Sequence, residues 1–199
     1  MISHKYKFVF LHIPKTGGLS VIEALKPFCD NPNFTFTGGF GHPKQSFFYE
    51  WDITGYYQFS FVRNPFSRLV SSYFFIKNGG ICEHDKRVRD KLGLKEKTFK
   101  QFVQHLHPEN SSVHFHRQIG FMNKDIDKIN WFNMENYQSN FNTVCDKIGI
   151  PRQQLPHRNK TKHKHYTEYY DDETRQIVAK KYAKDIEYFG YEFGKPDDE

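Results

Sequence analysis

Short apolar runs along this chain alternate with segments of helical periodicity. Residues 7–11 (KFVFL) and 56–62 (YYQFSFV) are rich in aromatic and β-branched residues, which predicts two buried strands. A third strand is predicted at residues 126–134. Strands that alternate with helices are typical of α/β folds, so we expect a parallel sheet with helices on both faces. The sequence shows no repeat and no domain boundary, and we therefore predict a single domain over residues 1–199.

Helices are indicated where apolar residues recur three and four positions apart. This spacing predicts helices over residues 19–25, from Pro65 onward and over 98–106. In the helix that begins at Pro65, Ser71 lies away from the apolar face, where it could meet a ligand. Near the end of the chain, the acidic pair at 171–172 suits the cap of one long helix. The apolar face of that helix would carry Val178, Tyr182, Ile186 and Phe189.

Composition and charge narrow the classes of function. Aromatic residues make up 18% of the 199 residues, which predicts an aromatic-rich core. The formal net charge of +6 is a modest excess that suits an anionic cofactor or substrate. The three cysteines match no metal-binding or disulfide pattern, so we expect reduced thiols and a cytoplasmic location. No apolar run approaches the roughly 20 residues of a membrane helix, and we expect neither a signal peptide nor membrane association.

The stretch HIPKTGG, residues 12–18, carries the clearest chemistry, because it joins a predicted strand to a predicted helix. The first N–H groups of a helix and its dipole favour an anion, and Lys15 adds a positive charge. Gly17 and Gly18 would let the backbone approach a ligand closely. In the P-loops of nucleotide triphosphatases the lysine follows the glycines, whereas Lys15 precedes them. The pattern indicates a P-loop-like phosphate site of another type; for the loop alone, a simple strand-to-helix turn remains the alternative.

A second motif, RNPFSRLVS at residues 63–71, follows the predicted strand at 56–62. Pro65 suits the first turn of a helix, and Arg63 would end the strand at the edge where open α/β sheets bind ligands. Arg63 and Ser71 could then face one anion. The alternative is structural: Arg63 would form a salt bridge, and Ser71 would be a solvated helix residue.

The two motifs together resemble the cofactor signatures of sulfotransferases that use 3′-phosphoadenosine 5′-phosphosulfate (PAPS), and the resemblance extends over residues 12–193. PKTGG resembles their 5′-phosphosulfate loop, and RNPFSRLVS resembles their 3′-phosphate motif. The resemblance implies sulfuryl transfer from PAPS to a hydroxyl group, with release of 3′,5′-phosphoadenosine and no metal. Lys15 would also be catalytic. The residues expected to hold the cofactor are Lys15, Thr16, Gly17, Gly18, Ser20, Arg63 and Ser71.

Leu19 departs from the pattern of the resembled family. A threonine that helps to hold the phosphate usually stands at this position. The departure removes one hydroxyl contact, for which Thr16 or Ser20 could compensate.

His42 lies in a glycine-rich loop between the two motifs, within the sequence GFGHP. From the residues alone, a surface-loop histidine is the simpler interpretation. Carbohydrate 2-O-sulfotransferases carry a Gly-His pair here whose histidine is the catalytic base, and His42 is the matching position. A neutral imidazole can accept an alcohol proton near neutral pH. The resemblance therefore implies a saccharide acceptor with His42 as the base, and Glu50 is the alternative base.

Other histidine-rich segments suggest different chemistry. The pairs His105/His107 and His114/His116 lack a cysteine or a clear carboxylate partner, so we expect no metal site. The basic segment at residues 157–165 is either a solvated loop or a flap over the cofactor. Because aromatic residues do not alternate with its basic residues, we expect no nucleic-acid binding.

Two other classes of function remain open. A nucleotide or sugar kinase would need Mg²⁺ and a Walker-type loop, and the glycine spacing does not match one. A non-catalytic module that binds polyanions would use the net charge of +6 and the basic segment.

Overall fold

The computed structural model describes residues 1–30, 52–122, 126–156 and 164–195. These residues group into two compact units, each with its own buried core. The first unit contains residues 1–30, 52–63, 118–122 and 126–156, and the second contains residues 64–117 and 164–195. The single domain expected from the sequence stays a prediction.

The predicted strands are present, with bounds that differ by up to three residues. They are β2 (Phe8–Leu11), β3 (Tyr57–Val62) and β4 (Ile129–Asn133). A short strand before them, β1 (Ile2–Ser3), was not predicted. The α-helices are α1 (Gly18–Leu25), α2 (Pro65–Lys77), α3 (Glu83–Leu92), α4 (Phe99–Gln104), α5 (Tyr137–Ile148), α6 (Asp172–Lys181) and α7 (Ala183–Phe189). Short 3-10 turns connect several of these elements, among them Met134–Asn136 between β4 and α5.

The sheet of the first unit has the strand order β1-β2-β3-β4. β1 pairs antiparallel with β2, whereas β2, β3 and β4 pair in parallel. The register places Leu11 opposite Ser60 and Val62 opposite Asn133, so the parallel strands end close to one edge of the sheet. The predicted α/β fold, with a mostly parallel sheet flanked by helices, is confirmed.

Phenylalanine side chains form a large part of the core of the first unit, as the composition predicts. Side chains alternate between the faces of a strand, so Phe8 and Phe10 share one face of β2, and Phe59 and Phe61 share one face of β3. The rings of Phe10 and Phe59 lie 5.1 Å apart between centroids. The helices α1 and α5 contribute Val21, Leu25, Phe141 and Val144 to the same core. This face of the sheet is therefore covered by α1 and α5.

The second unit is helical and is built around α2, which is buried along most of its length. Its apolar residues at helical spacing, Phe66, Leu69, Val70 and Tyr73, lie in the core of this unit, and Phe74 packs against that core. Helices α4 and α6 pack in the same core, for example through Phe102 and Val178. The core of this unit thus joins helices that are distant in the sequence.

The prediction of one long helix near the end of the chain is wrong, because α6 and α7 are separate helices that meet at Tyr182. The predicted cap is confirmed: Asp171 accepts a hydrogen bond from the Thr174 N–H at 2.8 Å. Tyr182 leaves the helical conformation, with φ −109° and ψ 19°. Its ring is buried, and its hydroxyl donates to the Phe115 carbonyl at 2.6 Å. These tertiary contacts accompany the break, and helical spacing contains no sign of them.

The expected cytoplasmic location was based on reduced thiols and on the lack of a membrane-spanning run. Cys29, Cys82 and Cys145 are free, and burial raises the pKa of Cys29 to about 12. Among the helices described here, none has both the length and the apolar composition that crossing a bilayer requires. The cytoplasmic location stays a prediction.

Candidate active site

The two predicted cofactor motifs begin at the same edge of the sheet in the first unit. β2 and β3 are parallel neighbours, with Leu11 opposite Ser60. The loop of residues 12–18 leaves the carboxyl end of β2, and Arg63 directly follows β3. Since ligands of open α/β sheets bind beyond the carboxyl ends of the strands, this edge is the candidate site.

The loop after β2 turns sharply before α1 begins. Lys15 and Gly17 have positive φ values of 67° and 75°, and for Lys15 this conformation costs about 1–2 kcal/mol. Gly17 is the N-cap of α1, where no side chain caps the helix and no acidic residue lies in the first turn. The first N–H groups of α1 therefore have no capping side chain, and Lys15 lies just before them in the loop. This arrangement suits an anion.

Gly17 and Gly18 are required by the packing of the protein itself. A Cβ atom at Gly17 would lie 2.6 Å from the Tyr137 hydroxyl oxygen, and a Cβ atom at Gly18 would overlap the His12 ring. His12 is only 6% exposed, and its ring stacks on that of Phe10. The sequence indicates glycines that admit a ligand, and the structure shows that they also make room for two side chains.

Thr16 and Ser20 use their hydroxyl protons within the protein. Thr16 Oγ1 donates to the Ile13 carbonyl at 2.9 Å, and Ser20 Oγ donates to the Pro156 carbonyl at 2.7 Å. A phosphate oxygen needs a donor, so in this conformation neither hydroxyl replaces the threonine that is missing at Leu19. Besides its hydroxyl, Thr16 has its backbone N–H as a donor. The binding roles of Thr16 and Ser20 stay predictions.

The backbone of Arg63 is held by one buried side chain. The Arg63 N–H donates to Gln118 Oε1 at 2.9 Å, and Gln118 Nε2 donates to the Arg63 carbonyl at 2.8 Å. Gln118 has no exposed surface, whereas Arg63 is partly exposed. The first residue of the predicted 3′-phosphate motif thus has a well-defined main-chain position at the end of β3.

Asn64, the second residue of the motif, organises the start of α2 in the second unit. Its side chain caps the helix by accepting a hydrogen bond from the Phe66 N–H at 3.1 Å. Its Nδ2 donates to the Glu192 carbonyl at 2.9 Å. Pro65 occupies the first turn, as predicted. Asn64 and Pro65 therefore have a structural role, because they start α2 and hold it to residue 192.

Polar residues of α2 are buried as deeply as its apolar ones. Arg68 is 2% exposed, and its Nη1 donates to the His116 carbonyl at 2.8 Å. Ser71 is 4% exposed, although helical spacing places it away from the apolar face. Arg63 belongs to the first unit and Ser71 to the second, and their shared contact with a phosphate stays a prediction.

Some of the predicted site residues lie outside the described residues. These are the catalytic His42, the alternative base Glu50, and most of the basic segment at 157–165. At the end of that segment, Lys164 and His165 are described and exposed. The roles assigned to these residues stay predictions.

The histidine pairs that invited a metal interpretation have other contacts. His114 Nε2 lies 3.4 Å from Asp85 Oδ1, and both side chains are largely buried. Burial acts to raise the pKa of Asp85, but hydrogen bonds from His114 and the Ile81 N–H hold it well below its usual range. His105 Nδ1 lies 2.9 Å from the Gln101 carbonyl oxygen. Within the described ranges, no three His, Cys, Asp or Glu residues are grouped to hold a metal ion.

Tyr137 is a candidate site residue that the sequence analysis missed. Its hydroxyl donates to the Gly17 carbonyl at 2.6 Å. Burial raises its pKa well above the usual value. Tyr137 begins α5, shortly after β4 ends at the same sheet edge as β2 and β3. Had the predicted strand at 126–134 been placed parallel to the other two, Tyr137 could have been predicted to lie near the loop after β2.

Comparison with known proteins assigns the chain to a family. The model of the sulfotransferase family matches residues 1–192 of 199, a span that includes both motifs and the whole described sheet. Searches of curated proteins and of solved structures found no match. Members of this family generally use PAPS as the sulfuryl donor. Because the family match covers nearly the whole chain, the chain belongs to the sulfotransferase family and is a sulfotransferase.

Proposed function

We propose that this enzyme transfers a sulfuryl group from PAPS to a hydroxyl group of a carbohydrate. The observation that carries the proposal is the edge of the sheet in the first unit, where the loop after β2 and Arg63 after β3 begin side by side. The start of α1 at this edge has neither a capping side chain nor an acidic residue in its first turn. An anion is the ligand that such a group of donors favours.

The residues of this chain fit the two charged ends of PAPS. Lys15 and the N–H groups at the start of α1 would hold the 5′-phosphosulfate. Arg63 would hold the 3′-phosphate, and the sequence resemblance adds Ser71 as a second contact. When bound, PAPS supplies an activated sulfuryl group whose leaving group is a phosphate.

Each proposed catalytic residue acts on one charge change in the reaction. Lys15 and the loop N–H groups would stabilise the negative charge that grows on the leaving phosphate. His42 would take the proton from the acceptor hydroxyl, as a neutral imidazole can near neutral pH. The acceptor is proposed to be a saccharide because His42 matches the base of the carbohydrate 2-O-sulfotransferases.

The two rival functions have less support. The family assignment favours an enzyme over a non-catalytic module that binds polyanions. The position of Lys15 before the glycines, together with the lack of a Walker-type spacing, argues against a kinase.

A thermal-shift screen tests the proposal against both rivals. We expect 3′,5′-phosphoadenosine to stabilise the protein without Mg²⁺, by about 2.7 kcal/mol at a concentration 100 times its Kd. Stabilisation by ATP with Mg²⁺ alone would indicate a kinase, and stabilisation by heparin alone would indicate the module. A mass-spectrometric screen of hydroxyl-bearing acceptors incubated with PAPS would then identify the acceptor. Sulfation of non-saccharide acceptors alone would refute the carbohydrate assignment.

A further inference from the structure

We infer that two side chains, the partly buried Tyr137 and the fully buried Gln118, position the two halves of the cofactor site separately. Tyr137 holds the phosphate loop for the 5′ side of the ligand, and Gln118 holds Arg63 for the 3′-phosphate. Both are positioning residues, because their polar groups contact the backbone of the binding segments. The inference rests on the proposed PAPS site and adds residues that neither motif contains.

The hydroxyl of Tyr137 sets the direction of one peptide group in the phosphate loop. It donates to the Gly17 carbonyl at 2.6 Å, and the Ser20 N–H donates to the same carbonyl at 2.9 Å. The Gly17 carbonyl and the Gly18 N–H belong to one planar trans peptide, in which they point in opposite directions. Holding the carbonyl towards Tyr137 therefore directs the Gly18 N–H away from Tyr137, as a donor at the start of α1.

The ring of Tyr137 is itself held in place. It meets Phe61 of β3 edge to face, with ring centroids 5.1 Å apart. A Cβ atom at Gly17 would collide with the Tyr137 hydroxyl oxygen, so the close approach depends on glycine at this position. The pair Gly17 and Tyr137 thus acts as one rigid support for the loop.

The side chain of Gln118 makes the hydrogen bonds to the Arg63 backbone that a neighbouring strand would otherwise make. The pairing of β3 with β4 ends where Val62 lies opposite Asn133, so Arg63 lies beyond the ladder. The side-chain amide of Gln118 accepts from the Arg63 N–H at 2.9 Å and donates to the Arg63 carbonyl at 2.8 Å. With both backbone groups held, the direction in which the Arg63 side chain leaves the strand is also held.

The two supports contact different segments, so their effects should be separable by ligand. Titration calorimetry would use 3′,5′-phosphoadenosine, adenosine 5′-phosphate and adenosine 3′-phosphate as probes. The variants are Tyr137→Phe, which removes only the hydroxyl, and Gln118→Met, which removes both hydrogen bonds. If Gln118→Met does not fold, the shorter Gln118→Asn serves instead.

We expect a different loss for each variant. Tyr137→Phe should reduce the advantage of 3′,5′-phosphoadenosine over adenosine 3′-phosphate by up to about tenfold, the worth of one hydrogen bond. In the same variant, the preference for 3′,5′-phosphoadenosine over adenosine 5′-phosphate should be unchanged. Gln118→Met should reduce the advantage over adenosine 5′-phosphate by about tenfold and leave the advantage over adenosine 3′-phosphate unchanged.

Two matched variants separate positioning from general loss of stability. Tyr182→Phe removes another hydroxyl that donates to a carbonyl at 2.6 Å, in the second unit. Gln138→Met removes an amide that donates to the Gln153 carbonyl and accepts from the Leu155 N–H, both at 2.9 Å. Both controls should lower the melting temperature and leave both ligand ratios unchanged.

The outcomes distinguish this inference from the proposed function. A wild type that shows no preference for 3′,5′-phosphoadenosine over either monophosphate would refute the PAPS site itself. If the wild type shows both preferences, two results would refute the positioning roles alone. In the first, Tyr137→Phe and Gln118→Met keep the affinity ratios of the wild type. In the second, the control variants change these ratios by the same factor.

Discussion

Partly buried side chains donate hydrogen bonds to backbone carbonyls in both units, but the carbonyls lie in segments of different kinds. In the first unit, Tyr137 donates to the Gly17 carbonyl in the loop between β2 and α1, the proposed phosphate loop. In the second unit, Lys77 Nζ donates to the carbonyls of Leu94, Lys95 and Lys97, in the segment between α3 and α4. The same contact should therefore affect ligand binding in the first unit and only stability in the second.

The helix starts of the two units differ in the same way. In the second unit, α4 and α6 begin with capping boxes, and the first turn of α3 carries Glu83 and Asp85. In the first unit, α1 begins with Gly17, without a capping side chain or an acidic residue. Since both a cap and a carboxylate stabilise a helix start, α1 lacks stabilisation that a bound anion can supply.

The largest expected effect is that of His42→Ala. Loss of a general base should reduce kcat by roughly 100-fold to 10,000-fold, with affinity for 3′,5′-phosphoadenosine unchanged. The measurement combines turnover assays with calorimetry, and His105→Ala, an exposed histidine of the second unit, is the control. Loss of nucleotide binding in His42→Ala would assign this residue to the cofactor site, and a carboxylate such as Glu50 would become the better base candidate.

Lysine substitutions in the two units sharpen the comparison. Lys15→Ala should reduce kcat by on the order of 100-fold or more, and should affect cofactor affinity less, because charge on the leaving group peaks in the transition state. Lys77→Met should instead lower the free energy of unfolding by about 2 kcal/mol, since it removes hydrogen bonds to a charged donor. Its kcat should not change. Steady-state kinetics and urea unfolding of both variants test this, and a Lys15→Ala enzyme with normal turnover would remove Lys15 from the mechanism.

Arg63→Ala tests the assignment of the 3′-phosphate. Two charge-assisted hydrogen bonds supply roughly 3 kcal/mol, so the wild type should prefer 3′,5′-phosphoadenosine over adenosine 5′-phosphate by about 100-fold. Arg63→Ala should erase most of that preference and leave the affinity for adenosine 5′-phosphate nearly intact. Arg152→Ala, which loses only an exposed ion pair with Asp146, is the control. A preference that survives Arg63→Ala would move the anchor to the basic segment at 157–165.

The smallest expected effect concerns Asp85 in the second unit. Its pKa is lowered in the folded protein, so ionised Asp85 contributes stability above the ordinary carboxyl pKa of about 4. That contribution is lost as the pH falls through the lower folded-state pKa. Asp85→Asn should lower the free energy of unfolding by about 2 kcal/mol at neutral pH, and the difference from the wild type should shrink below about pH 4. Urea unfolding across this pH range measures it; a constant difference would show that the charge of Asp85 is not responsible.

Much of the fold follows from local patterns in the sequence. The strands β2 and β3 coincide with short runs that contain alternating phenylalanines, and Asp171 caps α6 because its side chain reaches an N–H only three residues away. The break between α6 and α7 could not be predicted in this way. No glycine or proline marks Tyr182, and the hydrogen bond at that position goes to Phe115, which is 67 residues away.

The features of the candidate site likewise fall into those that nearby residues in the sequence predict and those that depend on distant residues. The sequence by itself determined the α/β class, the order of lysine and glycines in the loop, and the position of Arg63 after a strand, because these depend on periodicity and on residues that are close along the chain. Only the tertiary structure decided that Tyr137 supports Gly17, that Gln118 holds Arg63, and that Ser20 donates to Pro156. These partners are 120, 55 and 136 residues apart. Their contacts exist because the parallel strands end at one edge and bring distant polar groups within hydrogen-bonding distance.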